Sequence, residues 1–291
     1  MEAKHSSGSN MRWSVERRLE FIEFRLYWEG RINRSDVMSL FGISAPQASA
    51  DLKRYQELAP DNMHYSGTRK CYLANPDFSP VISRANAHEY LARLRLLGEG
   101  LHGNDESWLG AVPAFDSVRP PTRQVEPQKL RRVLDAIQGR QAMEIRYQSM
   151  SRPEPIWRWI NPHALAFDGF RWHTRAWCQL RQQFQDFVFA RMLDIGDLAA
   201  VEGDIPQDLQ WQRFIVMRIG PHPELQPSAR RAIELDYGMT SGEMAIRTRL
   251  ALSYYLERQL GLDFEAPKVS PQRQQVVLLN REEIDEARNT F

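Results

Sequence analysis

Two cysteines in 291 residues, Cys71 and Cys178, are too few and too far apart for a disulfide framework, and neither has a metal-spaced partner. Both read as ordinary reduced thiols. No apolar run approaches the ~20 residues of a membrane span. The first ten residues, MEAKHSSGSN, lack the apolar stretch of a signal peptide. These absences predict a cytoplasmic chain with no membrane partner. No Walker A, H-E-x-x-H or G-x-S-x-G motif is present, and the seven histidines are scattered. The expectation is a non-enzyme with no cofactor and no metal. A net charge of +1 excludes a polycation, so any nucleic-acid site must come from local charge placement.

What is present begins with SVERRLEFIEFRLYWEG, residues 14–30. Val15, Leu19, Ile22 and Leu26 recur at helical spacing, and Phe24 and Trp28 widen the stripe. Ser14 is the expected N-cap and Gly30 the stop. In INRSDVMSLFGIS, Asn33 predicts the cap of a short helix that turns Val37, Leu40 and Phe41 inward, and Gly42 supplies a tight turn. SAPQASADLKRYQEL, residues 44–58, follows. Ser44 and Gln47 form an S-x-x-Q capping box, and Pro46 fits the first turn. Ala48, Leu52 and Tyr55 make a thin apolar stripe; Gln47, Ser49, Ala50, Lys53 and Arg54 lie opposite. Helix, glycine turn, and a second helix with a small, polar and basic outer face is a helix-turn-helix pattern.

NMHYSGTRKCYLA, residues 62–74, predicts a hairpin about Ser66-Gly67. That hairpin is a wing carrying Arg69 and Lys70. Residues 31–72 hold six cations against four carboxylates, so the pattern rather than the charge carries the inference. The candidate DNA contacts are Arg34, Ser44, Gln47, Ser49, Lys53, Arg54, His64, Arg69 and Lys70. Lys53, Arg69 and Lys70 suit phosphates, and Ser49 and Arg54 suit base edges. Gln47 is shared between capping and reading.

Residues 84–97 read as a helix, and residues 98–127 as a Gly- and Pro-rich connector. PQKLRRVLDAIQGRQ predicts a helix ended by Gly139. AMEIRYQSM, WRWINPHALAF as far as Pro162, FRWHTRAWC and FQDFVFARMLDI then predict four or five short strands, as in a small barrel. After Asp204 the pattern is strand, helix, strand, helix, strand, a small α+β sandwich. The expected boundaries are a disordered tail 1–12, a winged helix-turn-helix 13–80, a helical and Gly/Pro-rich connector 81–127, a barrel 128–203 and a C-terminal domain 204–291. FRWHTRAWC alternates. Phe170, Trp172, Thr174, Ala176 and Cys178 share a core-like face, and Arg171, His173, Arg175 and Trp177 share the other. That second face is either solvated or an anion site. Phe187, Phe189 and Arg191 share a parity on the next strand, which makes Arg191 a candidate to join the cluster.

IRYQS, RWINPHAL, FRWHTRAWC and FVFARM, behind a winged helix and ahead of an α+β tail, resemble the WYL-domain transcriptional regulators. More narrowly they resemble the BrxR/CapW type, which controls bacterial anti-phage defence operons. The resemblance runs from Trp13 to about Asn280, and the naming triplet reads Trp172-His173-Thr174 here. It implies an α+β multidomain fold: an N-terminal winged helix-turn-helix, a central SH3- or Sm-like small β-barrel (the WYL domain), and a C-terminal α+β dimerisation domain. It maps a ligand pocket onto Tyr147, Ser149, His163, Trp172, His173, Arg175 and Arg191, suited to a nucleotide or a single-stranded nucleic-acid effector. It further implies a homodimer that binds an inverted-repeat operator in double-stranded DNA and represses its own operon until the ligand binds. The residues alone leave three competing readings: a single-stranded nucleic-acid-binding accessory protein, an enzyme with an unrecognised site, and a structural dimer.

Overall fold

The computed structural model describes residues 6–103, 107–118, 121, 123–262 and 269–290, with side chains from residue 14 onward. The chain divides into two compact units, Met1–Arg119 and Pro120–Phe291.

In the first unit, helix α1 (Ser6–Glu29) starts inside the segment expected as a tail. Residues 1–5 of that segment lie outside the described residues. Ser14 is therefore within the helix rather than at its cap. Leu19, Ile22 and Leu26 are buried as their spacing predicts. Gly30 ends the helix region at φ +70°, where a side chain would be strained. Strand β1 (Arg31–Ile32) leads into α2 (Arg34–Phe41). A full reciprocal cap starts α2: Asp36 N donates to Asn33 Oδ1 at 2.9 Å, and Asn33 N donates to Asp36 Oδ2 at 2.8 Å. Gly42, at φ +61°, turns the chain into α3 (Ala45–Leu58). The wing is β2 (Met63–Ser66) and β3 (Cys71–Ala74), in the sheet order β1-β3-β2. Helix α4 (Ala87–Gly98) is capped by Asn86.

Two buried carboxylates organise this unit. Asp51 of α3 takes Arg18 of α1 at 2.7 Å. Glu23 of α1 accepts from the Tyr55 hydroxyl of α3 at 3.1 Å and from the amides of Val81, Ile82 and Ser83 at 2.7, 3.1 and 2.8 Å. It thus ties the chain beyond the wing to the helix core. Between α4 and residue 127 the Gly- and Pro-rich part of the connector forms no helix among its described residues. Its Trp108 packs edge-on to Phe21 and Phe24, with the Arg17 and Arg93 guanidiniums 4.2 and 4.4 Å from its ring. The glycines at 98, 100 and 103 have the spacing of a dinucleotide-binding turn. They follow a helix instead of a strand, so the context that cradles a pyrophosphate is missing.

In the second unit, α5 (Pro127–Gly139) ends with Arg140, not Gly139, in the left-handed conformation, at φ 50°. Strands β4 (Ala142–Tyr147), β5 (Ile156–Phe167), β6 (Trp172–Cys178), β7 (Gln183–Val188) and β8 (Met192–Ala199) form one sheet in the order β7-β6-β5-β4-β8. Among the described residues this ladder is open, where the sequence predicts a closed barrel. A 3-10 turn, Phe189–Arg191, separates β7 from β8, so FQDFVFARMLDI makes two strands rather than one. β5 continues through Pro162 because a register shift between Pro162 and Ala164 accommodates the missing N–H. Val133 and Ala136 of α5 close the core over Met143, Ile145, Ile160, Ala176, Cys178 and Phe187.

A short helix, α6 (Leu209–Gln212), precedes the C-terminal module: β9 (Phe214–Pro221), α7 (Pro227–Asp236), β10 (Met244–Arg249), α8 (Leu250–Gln259), β11 (Val276–Leu278) and α9 (Arg281–Asn289). Its sheet has the order β10-β9-β11, and Ile215, Met217 and Ile219 bury one face of β9. The alternating β and α pattern is as expected; α9 is additional. No helix among the described residues is long and apolar enough to cross a membrane.

Glu23→Ala removes the acceptor for three backbone amides and one phenol. The expected outcome is a loss of about 3 kcal/mol of local stability, read as lost hydrogen-exchange protection at Val81, Ile82 and Ser83. Unchanged protection at those amides would contradict the anchoring role.

Candidate functional site

Two surfaces concentrate the sequence-predicted residues. The first is α3 and the wing. Ala48, Asp51, Leu52 and Tyr55 bury one side of α3, which leaves Gln47, Ser49, Lys53 and Arg54 exposed on the other. Ser44 caps the helix through Gln47 N at 3.4 Å. The reciprocal half of the expected capping box is absent, because the Gln47 amide reaches Asp51 Oδ1 at 3.2 Å instead. Buried Asp51 is the stronger acceptor: it is charged and shielded from water. Gln47 therefore braces the Arg18–Asp51 pair, and Ser44 is occupied as a cap. Lys53 forms an exposed 3.8 Å pair with Glu57, worth little in water. Arg54 and Arg34 are exposed and form no ion pair among the described residues. On the wing, Arg69 and Lys70 are exposed at the hairpin turn, Lys70 at φ 52°. His64 is exposed, and its Nδ1 lies 2.6 Å from Asn75 Oδ1.

The second surface is the β6 face. The structure does not leave it open. His173 is 1% exposed, with Nε2 2.8 Å from Asp168 Oδ2. Arg171 Nε donates to the same oxygen at 2.9 Å. Arg175 is buried and grips Asp208 through Nε at 2.7 Å and Nη2 at 3.2 Å. It also approaches Asp186 at 3.4 Å and donates to Gln210 Oε1 at 3.0 Å. His163 Nε2 lies 3.0 Å from Asp208 Oδ2. The Tyr255 hydroxyl of α8 donates to Asp186 at 2.8 Å, and its ring lies 5.2 Å from that of His173. This face is the seam where residues 208–210 and α8 cover the sheet. His163, His173 and Arg175 are not available as an open anion site, because carboxylates from the same chain already hold them.

The core-like face is corrected too. Thr174, Ala176 and Cys178 are buried, but Phe170 and Trp172 are exposed; Trp172, 49% exposed, packs on Phe167. Register pairs Arg175 with Asp186 and Thr174 with Phe187. Phe187 therefore lies on the buried core face, and the 3-10 turn takes Arg191 off the strand. Arg191 does not join Arg175.

Tyr147, Ser149 and Arg191 gather at another corner. Gln148 N donates to the Arg191 carbonyl at 3.0 Å, and Val188 N donates to the Tyr147 hydroxyl at 3.2 Å. Ser149 Oγ lies 3.5 Å from Ser151 Oγ. Arg158, which the motif reading omits, lies here. It is 6% exposed, 5.4 Å from the Tyr147 ring and 6.0 Å from the Phe187 ring. Its Nε has no hydrogen-bond partner, and no ion pair holds it among the described residues. The signal was in the parity: Arg158 shares a strand face with Ile160, a core position.

Burial alone would raise the pKa of both seam carboxyls. For Asp168, hydrogen bonds from His173, the Phe170 and Arg171 amides and the Arg171 side chain outweigh burial and bring the pKa down to about 2. For Asp208, His163, Arg175 and the Trp211 amide hold it far below the carboxylate range. Burial, reinforced by Asp186, pushes the Tyr255 phenol up.

Comparison with known proteins finds three successive matches. Residues 14–96 match the BrxR transcriptional regulator winged helix-turn-helix domain, residues 128–196 the WYL domain, and residues 214–284 the BrxR transcriptional regulator C-terminal dimerization domain. The chain is 45% identical over 281 residues to the DNA-binding transcriptional repressor CapW of Stenotrophomonas maltophilia, covering 96% of this chain and 94% of that one. It is 38% identical to CapW of Escherichia coli (strain KTE188), covering 94% and 91%, and 37% identical to CapW of Pseudomonas aeruginosa, again covering 94% and 91%.

Two outcomes follow for the seam. Arg175→Ala leaves Asp208 and Asp186 buried without their cation, and should destabilise the second unit by about 3–5 kcal/mol in denaturant titration. A change under ~1 kcal/mol would mean that water replaces the guanidinium. Because the folded pKa of Asp168 is depressed, its stabilisation is present above pH ~4 and fades as pH falls toward about 2. The stability gap between wild type and Asp168→Asn should therefore narrow across that window; a constant gap contradicts the assignment.

Proposed function

The chain belongs to the BrxR/CapW family of WYL-domain transcriptional repressors, DNA-binding regulators rather than enzymes, and from that premise we propose that it is a homodimeric repressor of an inverted-repeat operator. The operator lies ahead of its own operon, which the family resemblance makes an anti-phage defence operon. An anionic ligand in the WYL domain relieves repression.

The open face of α3 carries the DNA reading. Ser49 is small enough to let the helix approach base edges, and Arg54 has an unpaired guanidinium for a guanine edge. Lys53, Arg69, Lys70 and Arg34 supply phosphate contacts, and His64 stands on the first strand of the wing. Two copies joined through the C-terminal module present two such helices. Half-sites then lie about one helical turn apart, ~10 bp, or a multiple of it.

Arg158 supports the ligand reading. An unpaired guanidinium in the interior is costly, and an anion offsets that cost. Tyr147 and Phe187 beside it, with Ser149 and Arg191 at the same corner, suit a phosphate carried on a stackable base: a nucleotide or a nucleic-acid fragment. Such a ligand releases DNA only by binding the DNA-incompetent state more tightly. His163, His173 and Arg175 stay in the seam, where they couple the sheet to the C-terminal module, and Trp172 remains an exposed ring at the β6 edge.

The test is titration of the full chain against duplex DNA from upstream of its gene and against scrambled duplex, at two salt concentrations. Arg54→Ala should cost ~1–3 kcal/mol on the native site alone, whereas Lys70→Ala should weaken both duplexes alike and reduce the salt slope by about 1. Equal loss on both duplexes for Arg54→Ala would remove its reading role. Tighter binding to single strands than to either duplex would favour a single-strand-binding accessory protein. Arg158→Gln should keep operator affinity and abolish release by a nucleotide; retained release would move the ligand elsewhere.

A further inference from the structure

The outer face of the C-terminal sheet is left uncovered by the described residues. Strand β9 alternates. Ile215, Met217 and Ile219 pack under the helices with Ile233, Leu250 and Ile284, while Phe214, Val216 and Arg218 take the other parity and are exposed. Register sets Arg249 opposite Phe214 and Arg247 opposite Val216, so both arginines share that outer face. Leu279, just past β11, joins it from the other side: a side chain at Gly220 would meet its methyl groups at 3.0 Å or little more. An antiparallel sheet can leave one face to water. Contiguous apolar groups among unpaired cations are more than such a face needs.

The charge on this face is segregated. Residues 214–291 hold ten Lys and Arg against eleven Asp and Glu, so the module has no cationic excess. Arg218, Arg247 and Arg249 nevertheless gather on the sheet, and none forms an ion pair among the described residues. The carboxylate of the same parity, Glu243, precedes β10 at the end away from Phe214. Aromatic rings hold two of the three cations in place. The Arg247 guanidinium lies 3.9 Å from the Phe214 centroid. That of Arg249 lies 4.5 Å from Phe214 and 4.7 Å from Trp211, and it donates to the Trp211 carbonyl. Phe214 remains 42% exposed with both guanidiniums beside it. A two-fold contact through this face would set the arginines against their own copies, which is repulsive. The complementary partner is a polyanion.

We propose that the β10-β9-β11 face binds single-stranded nucleic acid, at a place distinct from both α3 and the Arg158 corner. A guanidinium backed by a ring offers its plane to a base and its N–H edge to a phosphate. Unpaired bases can use both, with Val216 and Leu279 as apolar contacts beside them. A duplex keeps its bases stacked inside and offers a flat sheet only phosphates. Bases therefore stack at Arg247 and Phe214, and Arg218 and Arg249 hold the backbone.

The test uses the full chain and a fluorescent oligo-dT strand of about fifteen nucleotides, read by anisotropy beside a scrambled duplex of the same length. Arg247→Ala should weaken strand binding about fivefold or more and leave the duplex unchanged. Arg247→Lys keeps the charge and loses the planar stack, so it should restore the salt slope but not the affinity. Arg218→Ala removes a side chain with no ion-pair partner and should lower the strand's salt slope by about 0.7. Each substitution is repeated in the Arg158→Gln chain, where the same losses are expected. Loss on Arg158→Gln alone would place the strand at the other corner and overturn the proposal. Equal weakening of strand and duplex by Arg247→Ala, or no strand binding by wild type up to about 0.1 mM, would also overturn it. Sedimentation reads the oligomeric state of every variant. A shift from dimer to monomer with strand affinity kept would make the face a contact between copies, and the proposal would fail.

Discussion

The second unit depends on one carboxylate. Asp208 precedes α6 and accepts from an arginine, a histidine and a backbone amide, all at 3.2 Å or less. Two buried charges are not a strong source of stability in themselves, because desolvation consumes most of their attraction. They are a strong source of geometry. Arg175 satisfies Asp208, Asp186 and Gln210 together only when the segment 208–210 lies across the β6 and β7 strands. Once it does, His163 and Tyr255 have their partners, and the β6 face is covered. The C-terminal module is thereby set in register with the sheet.

Carboxylates do similar work in the first unit. Asp51 and Glu23 sit under α3 and are met from α1 by Arg18 and from α3 by Tyr55. Charge-assisted hydrogen bonds of this kind favour one geometry over neighbouring ones. The exposed face of α3 can be small and polar because its position is set from beneath. The glycine turn at φ +61° and the Ser44 cap then set its start. A reading helix needs that arrangement: contacts that hold it on one side, and side chains free of intramolecular partners on the other.

The two kinds of surface differ in how the chain treats its cations. On α3 and the wing, Arg54, Arg69 and Lys70 are exposed and have no carboxylate partner among the described residues, which leaves their charge for a polyanion. On β6, every expected cation is already neutralised. At the corner formed by Tyr147 and Phe187, the buried Arg158 guanidinium has no carboxylate partner among the described residues.

Local signals made the helix-turn-helix, the wing hairpin and the alternation of the C-terminal module legible. Caps, left-handed glycines and periodic apolar residues act within a few positions, so the sequence displays them directly. Asn33, Gly42 and the Leu19-Ile22-Leu26 stripe are instances. The α9 helix left a weaker trace, an acidic first turn at Glu282 and Glu283 before the buried Ile284 and Ala287. What the sequence by itself determined was which residues alternate and which are charged. Whether His173 and Arg175 meet solvent, an anion or a carboxylate depended on Asp168, Asp186, Asp208 and Tyr255, which lie 5 to 82 positions away. Strand parity tells a side chain which face to take, but only tertiary packing decides what covers that face, because the covering groups arrive from separations that no local period records.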